Sequence, residues 1–519
     1  MKKTWLLVLI SLLLIILLSA SAAEEAAFAP KDLPVISLTI DGGQEEIDRM
    51  NNSEDHSYKC TGVMDILIPE GYSGDFESRY PQQTVTGLKM KYIRGRGNGT
   101  WGMAKHPYKI KLEEKQNLFG MGANKTWILL SNFFDNSLIR NRLTEWLGEQ
   151  MCLEYTPQGV FVEVVMNGEY LGSYYLCEKV QIGKARVAID ELKENDQDLP
   201  TIQGGYLLAF SPDDWDSPSS FETKHGQLFG NQDPSFDPGN DGWRNDAQMN
   251  YIRDYIQQAE DAVWAENGLS EEGRSYSDYI DLQSLADIWW INEFTVNEDA
   301  FRTDSAHLYK KRTEPDGSEG KLYFGPLWDF DESWGNAQVN TTQNIGFNNA
   351  TFIWIDELRK KPEFLEYLKE RWQVMDAKLE EIVREGGVLD QTAALVKDSW
   401  ERDHQKWQAD IRENNLDSGR NFQEEMDHLR RWITLRRDWI NQNLDRLGLL
   451  TFALSVQGDG MEAKEYRIAC DTTVDLNDLE IPEVEGRSFT GWFLEDGTPA
   501  EDFLVMTKDI TLTARFSEE

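Results

Sequence analysis

Four carboxylates in the middle of the chain, Asp299, Asp304, Asp329 and Asp331, closely follow apolar segments, so buried elements would hold them in place. Hard oxygen ligands of this kind suit Mg²⁺ or Mn²⁺. Upstream, the stretch from Arg94 through Gly95, Gly97, Gly99 and Gly102 has glycines that let backbone N–H groups approach an anion, with Arg94 and Arg96 adding charge. Lys111 and Glu178 could form an ion pair across a small sheet and so set the lysine on phosphates. Each reading has a plainer competitor. Gly-rich turns join many strands, and charges on the polar face of a strand are usually only solvated. The four aspartates are drawn from 91 acidic residues, and a glycosidase would also use paired carboxylates.

Spacing narrows these choices. Asp299-x4-Asp304 has the offset of the D-x4-N of a protein-kinase catalytic loop, and Trp328-Asp329-Phe330-Asp331 after a strand is close to D-F-G. The chain has no HExxH and no GxSxG, which removes support for a zinc hydrolase or a nucleophile elbow. Cys60, Cys152, Cys177 and Cys470 form no CxxC pair and read as structural thiols, one disulfide being compatible with export. The 18 tryptophans fit sugar stacking, but core packing accounts for most Trp residues.

Several elements must position these groups. Runs between Ile36 and Tyr92 alternate as strands. In Pro107-Tyr108-Lys109-Ile110-Lys111-Leu112, Tyr108, Ile110 and Leu112 share one face, which puts Lys109 and Lys111 on the other. Ser137 to Met151 has helical spacing. Asn167-Gly168 between apolar runs marks a hairpin with Glu178 on its returning strand. After Phe210 a loop rich in Asp, Ser, Gly and Pro runs through Gly242 and reads as a lobe boundary or an insertion. Asp281 to Phe294 is an apolar helix, the segment from Lys321 to Asn336 is a strand entering an acidic turn, and Pro362 to about Leu447 gives several amphipathic helices.

The whole chain sets further bounds. Of 519 residues, 52 are Lys or Arg and 91 Asp or Glu, a net charge of −39 that argues against tracking a nucleic-acid backbone. A composition 40% hydrophobic is enough for real cores. Lys2-Lys3, an apolar run and Ala20-x-Ala22 predict a signal peptide over 1–22, cut before Ala23, with an uncleaved anchor as the alternative. Once it is cut, no transmembrane segment is expected. A tether follows over 23–34, and a small β-rich domain over 449–519 after the texture changes near Leu450. The segment GRSFTGWFLEDGTPAEDF followed by DITLTARF resembles the Listeria-Bacteroides repeat of bacterial surface proteins.

In order along the chain, GRGNGTW, KHPYKIKL, LFGM, KTWILLSNFFDNSLIRNRL, VVMNGEYLGSYYLCEKV, GGYLL, NEFTVNEDAFRTDSAHLYK and GPLWDFDESWGN resemble the CotH family of secreted and spore-coat atypical kinases. The resemblance spans about residues 35 to 340. It implies an α+β, divergent kinase-like fold of two lobes over 35–448, the N-lobe about 35–210 and the C-lobe about 211–448. It also implies ATP with Mg²⁺ or Mn²⁺, and phosphoryl transfer to Ser or Thr of a surface or coat protein. Lys111 would then hold phosphates, Glu178 would orient that lysine, Asp299 would be the catalytic aspartate and Asp329 the metal ligand. Asp331 stands where D-F-G has glycine. Asp304 departs from the Asn or Ser of many relatives, which bears on metal preference and on whether the site is active. The acidity favours a basic, Ser/Thr-rich protein substrate. The competing reading is an inactive kinase-like adhesin or scaffold at the cell surface.

Overall fold

The computed structural model describes residues 31–517 apart from short stretches, among them 212–215, 237–241, 298, 304, 337–345 and 348–351. The expected signal segment, most of the tether and Asp304 therefore lie outside the described residues. Among the described residues no helix is long and apolar enough to cross a membrane, and all four cysteines are free.

The first third of the chain closes a seven-stranded barrel from β1 (Val35–Ile40), β2 (Cys60–Leu67), β3 (Val85–Gly95), β4 (Tyr108–Asn117), β5 (Ala123–Leu130), β6 (Gly159–Met166) and β7 (Glu169–Glu178). Neighbours are antiparallel except β1 and β6, whose parallel pairing completes the ring. A short helix, α1 (Gln44–Asn51), joins β1 to β2. Period-two alternation fills the barrel: Ile36, Leu38, Met64, Ile93, Ile110, Trp127, Val162 and Leu176 pack into one core. The Asn167-Gly168 hairpin forms as expected, both residues at positive φ, which a two-residue turn of the right twist requires.

The outer face of β5 to β7 is apolar too. Ile128, Phe161, Tyr175 and Cys177 pack on Leu143, Trp146 and Leu147 of α2 (Arg140–Gln150). This helix begins three residues later than the periodicity suggests. The Asp135 carboxylate accepts from Ser137 N at 2.8 Å and Arg140 N at 2.9 Å, holding the intervening chain in a turn.

A second sheet has the order β12-β11-β8-β10-β9, from β8 (Tyr206–Phe210), β9 (Ser220–Glu222), β10 (Leu228–Asp233), β11 (His307–Lys310) and β12 (Leu322–Phe324). The stretch after Phe210 is thus not a bare loop, because it contributes β9 and β10. A boundary at 210/211 would split the pair β8 and β10 at the middle of this sheet, so both sides of Phe210 belong to one unit. The polar composition hid two strands that are short and bury only part of their side chains.

Helices surround this sheet: α3 (Asp246–Trp264), α4 (Tyr276–Tyr279), α5 (Leu282–Thr295), α6 (Ile353–Leu358), α7 (Pro362–Val383), α8 (Val388–Glu413) and α9 (Phe422–Asn443). Asp281 caps α5 through Ser284 N at 2.8 Å, and every residue from Ser284 to Thr295 is buried, which is why that segment reads as apolar all round. The three long C-terminal helices appear where the amphipathic pattern places them; Pro362 opens α7, and an Asn421–Glu424 capping box opens α9.

From Thr451 the chain forms β13 (Thr451–Gly458), β14 (Lys464–Ala469), β15 (Thr473–Asp475), β16 (Phe489–Phe493), β17 (Phe503–Val505) and β18 (Ile510–Phe516) around their own small core of Leu454, Val456, Trp492, Met506 and Leu512. The fold is mixed α+β.

Candidate active site

Strand register decides which lysine of β4 can serve a cleft. Ile110, Trp127 and Glu178 stand opposite one another across β4, β5 and β7, and opposed residues share a face. Since Ile110 and Trp127 fill the barrel, Glu178 points inward. Lys111, paired with Tyr92 and Thr126, points outward, with its Nζ 5.9 Å from the Tyr92 ring centre. The expected Lys111–Glu178 pair is therefore absent: the two side chains leave opposite faces of the same sheet. Glu178 instead pairs with Arg186 and accepts from the Tyr155 hydroxyl at 2.8 Å and Gln158 N at 3.1 Å. Burial pushes its carboxyl up to about 7, with Arg186 opposing.

Lys109 occupies the place intended for Lys111. It stands opposite Arg94 on β3 and Ile128 on β5, and lines a cavity of about 370 Å³ with Arg94, Arg96, Lys179, His56 and Asp233. Burial and the charges of Lys179, Arg94, Lys111 and Lys59 push Lys109 down to about 7. Burial lowers Lys179 as well, with Asp233 opposing. Neither amine has an ion pair among the described residues. Gathering cations out of water without close ion pairs is costly, and Asp233 offsets only part of that cost at Lys179, so this end can accept an anion from solution. Sequence reasoning missed Lys109 and Lys179. The signal for Lys109 was the alternation already noted, which puts both lysines outward without saying which meets the cleft.

The Gly-rich segment joins this end to the next. Arg96, Gly97, Asn98 and Trp328 line both the basic cavity and a neighbouring one of about 500 Å³. Gly97 has a φ of 90°, and a Cβ on Gly95 would lie 2.0 Å from the Trp101 ring, so these two glycines are needed for the path of the loop. Arg94 donates to the carbonyls of His56 and Gly95, both at 3.0 Å, while the Arg96 guanidinium lies 5.5 Å from the Trp328 ring centre.

The second cavity is acidic. Asp299, Asp329, Asp331 and Glu332 line it with Thr100, Thr303, Ser305 and Phe134. Two loops bring them together, one after α5 and one after β12, and three asparagines stitch the loops in place. Asn297 accepts from Asp299 N at 3.2 Å and its Nδ2 lies 3.5 Å from the Asp329 carbonyl. Asn141 accepts from Phe330 N at 2.8 Å, and Asn336 donates to the carbonyls of Phe134 and Asp331 at 2.7 Å each. Asp329 has a φ of 67°, a left-handed conformation that Asp tolerates better than most residues, and its carboxylate accepts from Ser305 Oγ at 3.1 Å. Burial, then the charges of Asp329, Glu332 and Asp135, hold the Asp331 carboxyl well above the usual range.

Like charges crowded in this way are relieved by a cation, and hard carboxylate oxygens suit a divalent one. Among the described residues, no three His, Cys, Asp or Glu groups converge closely enough to hold an ion alone. Of the expected site residues, the structure brings Arg94, Arg96, Asp299, Asp329 and Asp331 to one continuous cleft; Glu178 turns away, and Lys111 lies along the outer face beside Lys109.

The comparison with protein families gives the chain its place. The family model described as CotH kinase protein matches residues 93–440, two-thirds of the sequence, and the chain belongs to that family. No curated protein matches it.

Proposed function

We propose that this member of the CotH kinase family is an active, exported protein kinase that transfers the γ-phosphoryl group of ATP to Ser or Thr hydroxyls of a basic, Ser/Thr-rich surface or coat protein. The barrel and the helical body serve as its two lobes. One observation carries the reading: unpaired cations and mutually repelling carboxylates occupy adjoining cavities that share the Gly-rich loop. A polyanion whose far end carries a divalent cation matches both.

In this reading Lys109, with Arg94 and Lys179, holds the phosphates, and Arg96 with the backbone of Gly97 and Asn98 covers them. Asp329 and Asp331 hold Mg²⁺ or Mn²⁺, which when bound offsets the charge that builds on the transferring group. Asp299, in the lining of the acidic cavity, orients the incoming hydroxyl and accepts its proton. Glu332 and its neighbours draw in basic substrate segments. The C-terminal β-domain, repeat-like in sequence, serves surface attachment.

Asp304, where many relatives have Asn or Ser, and the repeat-like C-terminal domain favour a second reading, an inactive kinase-like scaffold at the cell surface. Incubating the purified protein with γ-labelled ATP, Mg²⁺ or Mn²⁺ and a basic Ser-rich protein separates the two. Label on serine or threonine supports the enzyme. Full-length protein that binds metal–ATP without transferring phosphate supports the scaffold.

A further inference from the structure

The arm that carries the Gly-rich loop is held from behind by a helix nearly 300 residues away. After Gly102 the chain passes through Met103 and Lys105 before entering β4 at Tyr108 and Lys109. Lys105 is 1% exposed, and its amine donates to Asp403 Oδ1 of α8 and to the Ser173 carbonyl of β7, both at 2.6 Å. The same Asp403 oxygen accepts from Ser173 N at 2.7 Å. Helix and strand approach so closely that a Cβ on Gly172 would lie 2.2 Å from that oxygen. One turn further along α8, the Trp407 indole donates to the Leu171 carbonyl at 2.9 Å and packs with Met103, Phe133 and Phe134, the last of which lines the acidic cavity. Arg402 on the same helix reaches Asp32 and Glu163 of β6, which stands opposite Ser173, and so bonds to the strand rather than to the arm.

We infer that Lys105 and Asp403 are positioning residues for the nucleotide end of the cleft: the pair fixes the arm between the Gly-rich loop and Lys109, making α8 a working part of the site. The inference rests on the proposed nucleotide reading. A surface contact would not do this work, because an exposed pair exchanges with water. A buried, hydrogen-bonded pair is confined to one geometry, and removing one partner leaves a lone charge in the interior. Holding the loop in one place lets its N–H groups and Lys109 meet the phosphates without first being ordered.

The test compares Asp403→Asn, the double variant Lys105→Met with Asp403→Leu, and Arg402→Ala in the full chain. Amide hydrogen exchange over 97–103, the KM for ATP and kcat are measured. The first two variants are expected to exchange faster over 97–103 while β7 stays protected, and to raise KM about tenfold or more with a much smaller change in kcat. Arg402→Ala is expected to change neither. The double variant buries no lone charge, so it carries the test if Asp403→Asn does not fold. Parental exchange and KM in the folded variants, or an equal response to Arg402→Ala, overturns the inference. Because exchange needs no ATP, a protein that binds no nucleotide refutes the proposed function while the clamp is still judged.

Discussion

The basic end of the cleft stands on strands and the acidic end stands on loops, and the two differ in what fixes a side chain. On β3 and β4 the pleat alone sends Arg94 and Lys109 outward, and hydrogen-bond register sets them side by side. Nothing comparable orients Asp299 or Asp329. Their loops depend on Asn141, Asn297 and Asn336, each contributing hydrogen bonds of about 1 kcal/mol net, and on a left-handed residue that those bonds hold in place. The backbone under Arg94 and Lys109 is therefore set by the sheet, and it is the adjoining Gly-rich arm that the Lys105–Asp403 pair is proposed to hold. A loop-built end full of like charge depends on its stitching and, in the proposed function, on a bound cation.

The largest effects are expected at the acidic end. Asp329→Asn keeps the shape and removes the charged oxygen, so metal-dependent ATP binding should be lost along with turnover. Asp331→Asn should do less harm, since its carboxyl already resists ionisation. Asp299→Asn should leave binding near parental and lower kcat by roughly 10²–10⁴, the range for a positioned general base. Calorimetric titration of ATP with Mg²⁺ or Mn²⁺, beside single-turnover rates, separates the three. Parental metal–ATP affinity in Asp329→Asn would remove that residue from the site.

The basic end should respond in affinity more than in chemistry. Lys109→Met removes a charge-assisted contact of about 1.5–3 kcal/mol, so KM for ATP should rise about tenfold to hundredfold. ADP titrated without metal should weaken in parallel, because this end acts on the anion itself. An unchanged ADP affinity would move the phosphate site elsewhere.

Legibility in the sequence follows the same division. The β6–β7 hairpin, α5 and the C-terminal helices could be read because turn chemistry, a fully apolar run and 3.6-residue periodicity are local signals. The acidic loops could be read by motif, since Asp299 and Asp329 sit at recognisable offsets from buried segments. What failed was non-local. Alternation placed Lys109 and Lys111 on one face, but only the pairing of β4 with β5 and β7 shows that Glu178 leaves the other. Lys179 follows Glu178 directly and was passed over for its neighbour. Asn141, Asn297 and Asn336 lay inside the quoted motifs, yet an asparagine's partner is not written in its flanks. Strand β9 was hidden because three residues are too few for a pattern, and β10 because its Gly, Asn, Gln and Asp read as loop.

A titration sharpens the contrast at moderate cost. Lys109 is pushed down to about 7, so it is charged below that pH and neutral above it. Metal-free ADP affinity should fall as pH rises through 7, by at most about tenfold per unit for one proton. Stability of the free protein should move the other way. Between about 7 and the lysine's ordinary 10.5 the unfolded chain binds more protons than the folded one, so this group's contribution to stability rises with pH across that window. Lys109→Met should flatten both trends. Affinity that is flat in pH from 6 to 8 in the parent would mean that Lys109 is not the group meeting the phosphate.

The smallest expected effect is the one that decides between the two lysines. Lys111→Met should leave KM for ATP within about twofold, because a half-exposed amine beside Tyr92 and outside the cavity offers only a screened charge. Glu178→Gln should likewise spare KM while lowering stability: it leaves the Arg186 guanidinium buried without its counter-charge, at a cost of roughly 3–5 kcal/mol. Measured together, the variants give a pattern that no general loss of folding can imitate, since the more destabilised protein keeps its affinity and Lys109→Met loses it. A KM that rises in both Lys111→Met and Glu178→Gln, and not in Lys109→Met, would restore the pairing across the sheet and mean that the barrel register changes when nucleotide binds.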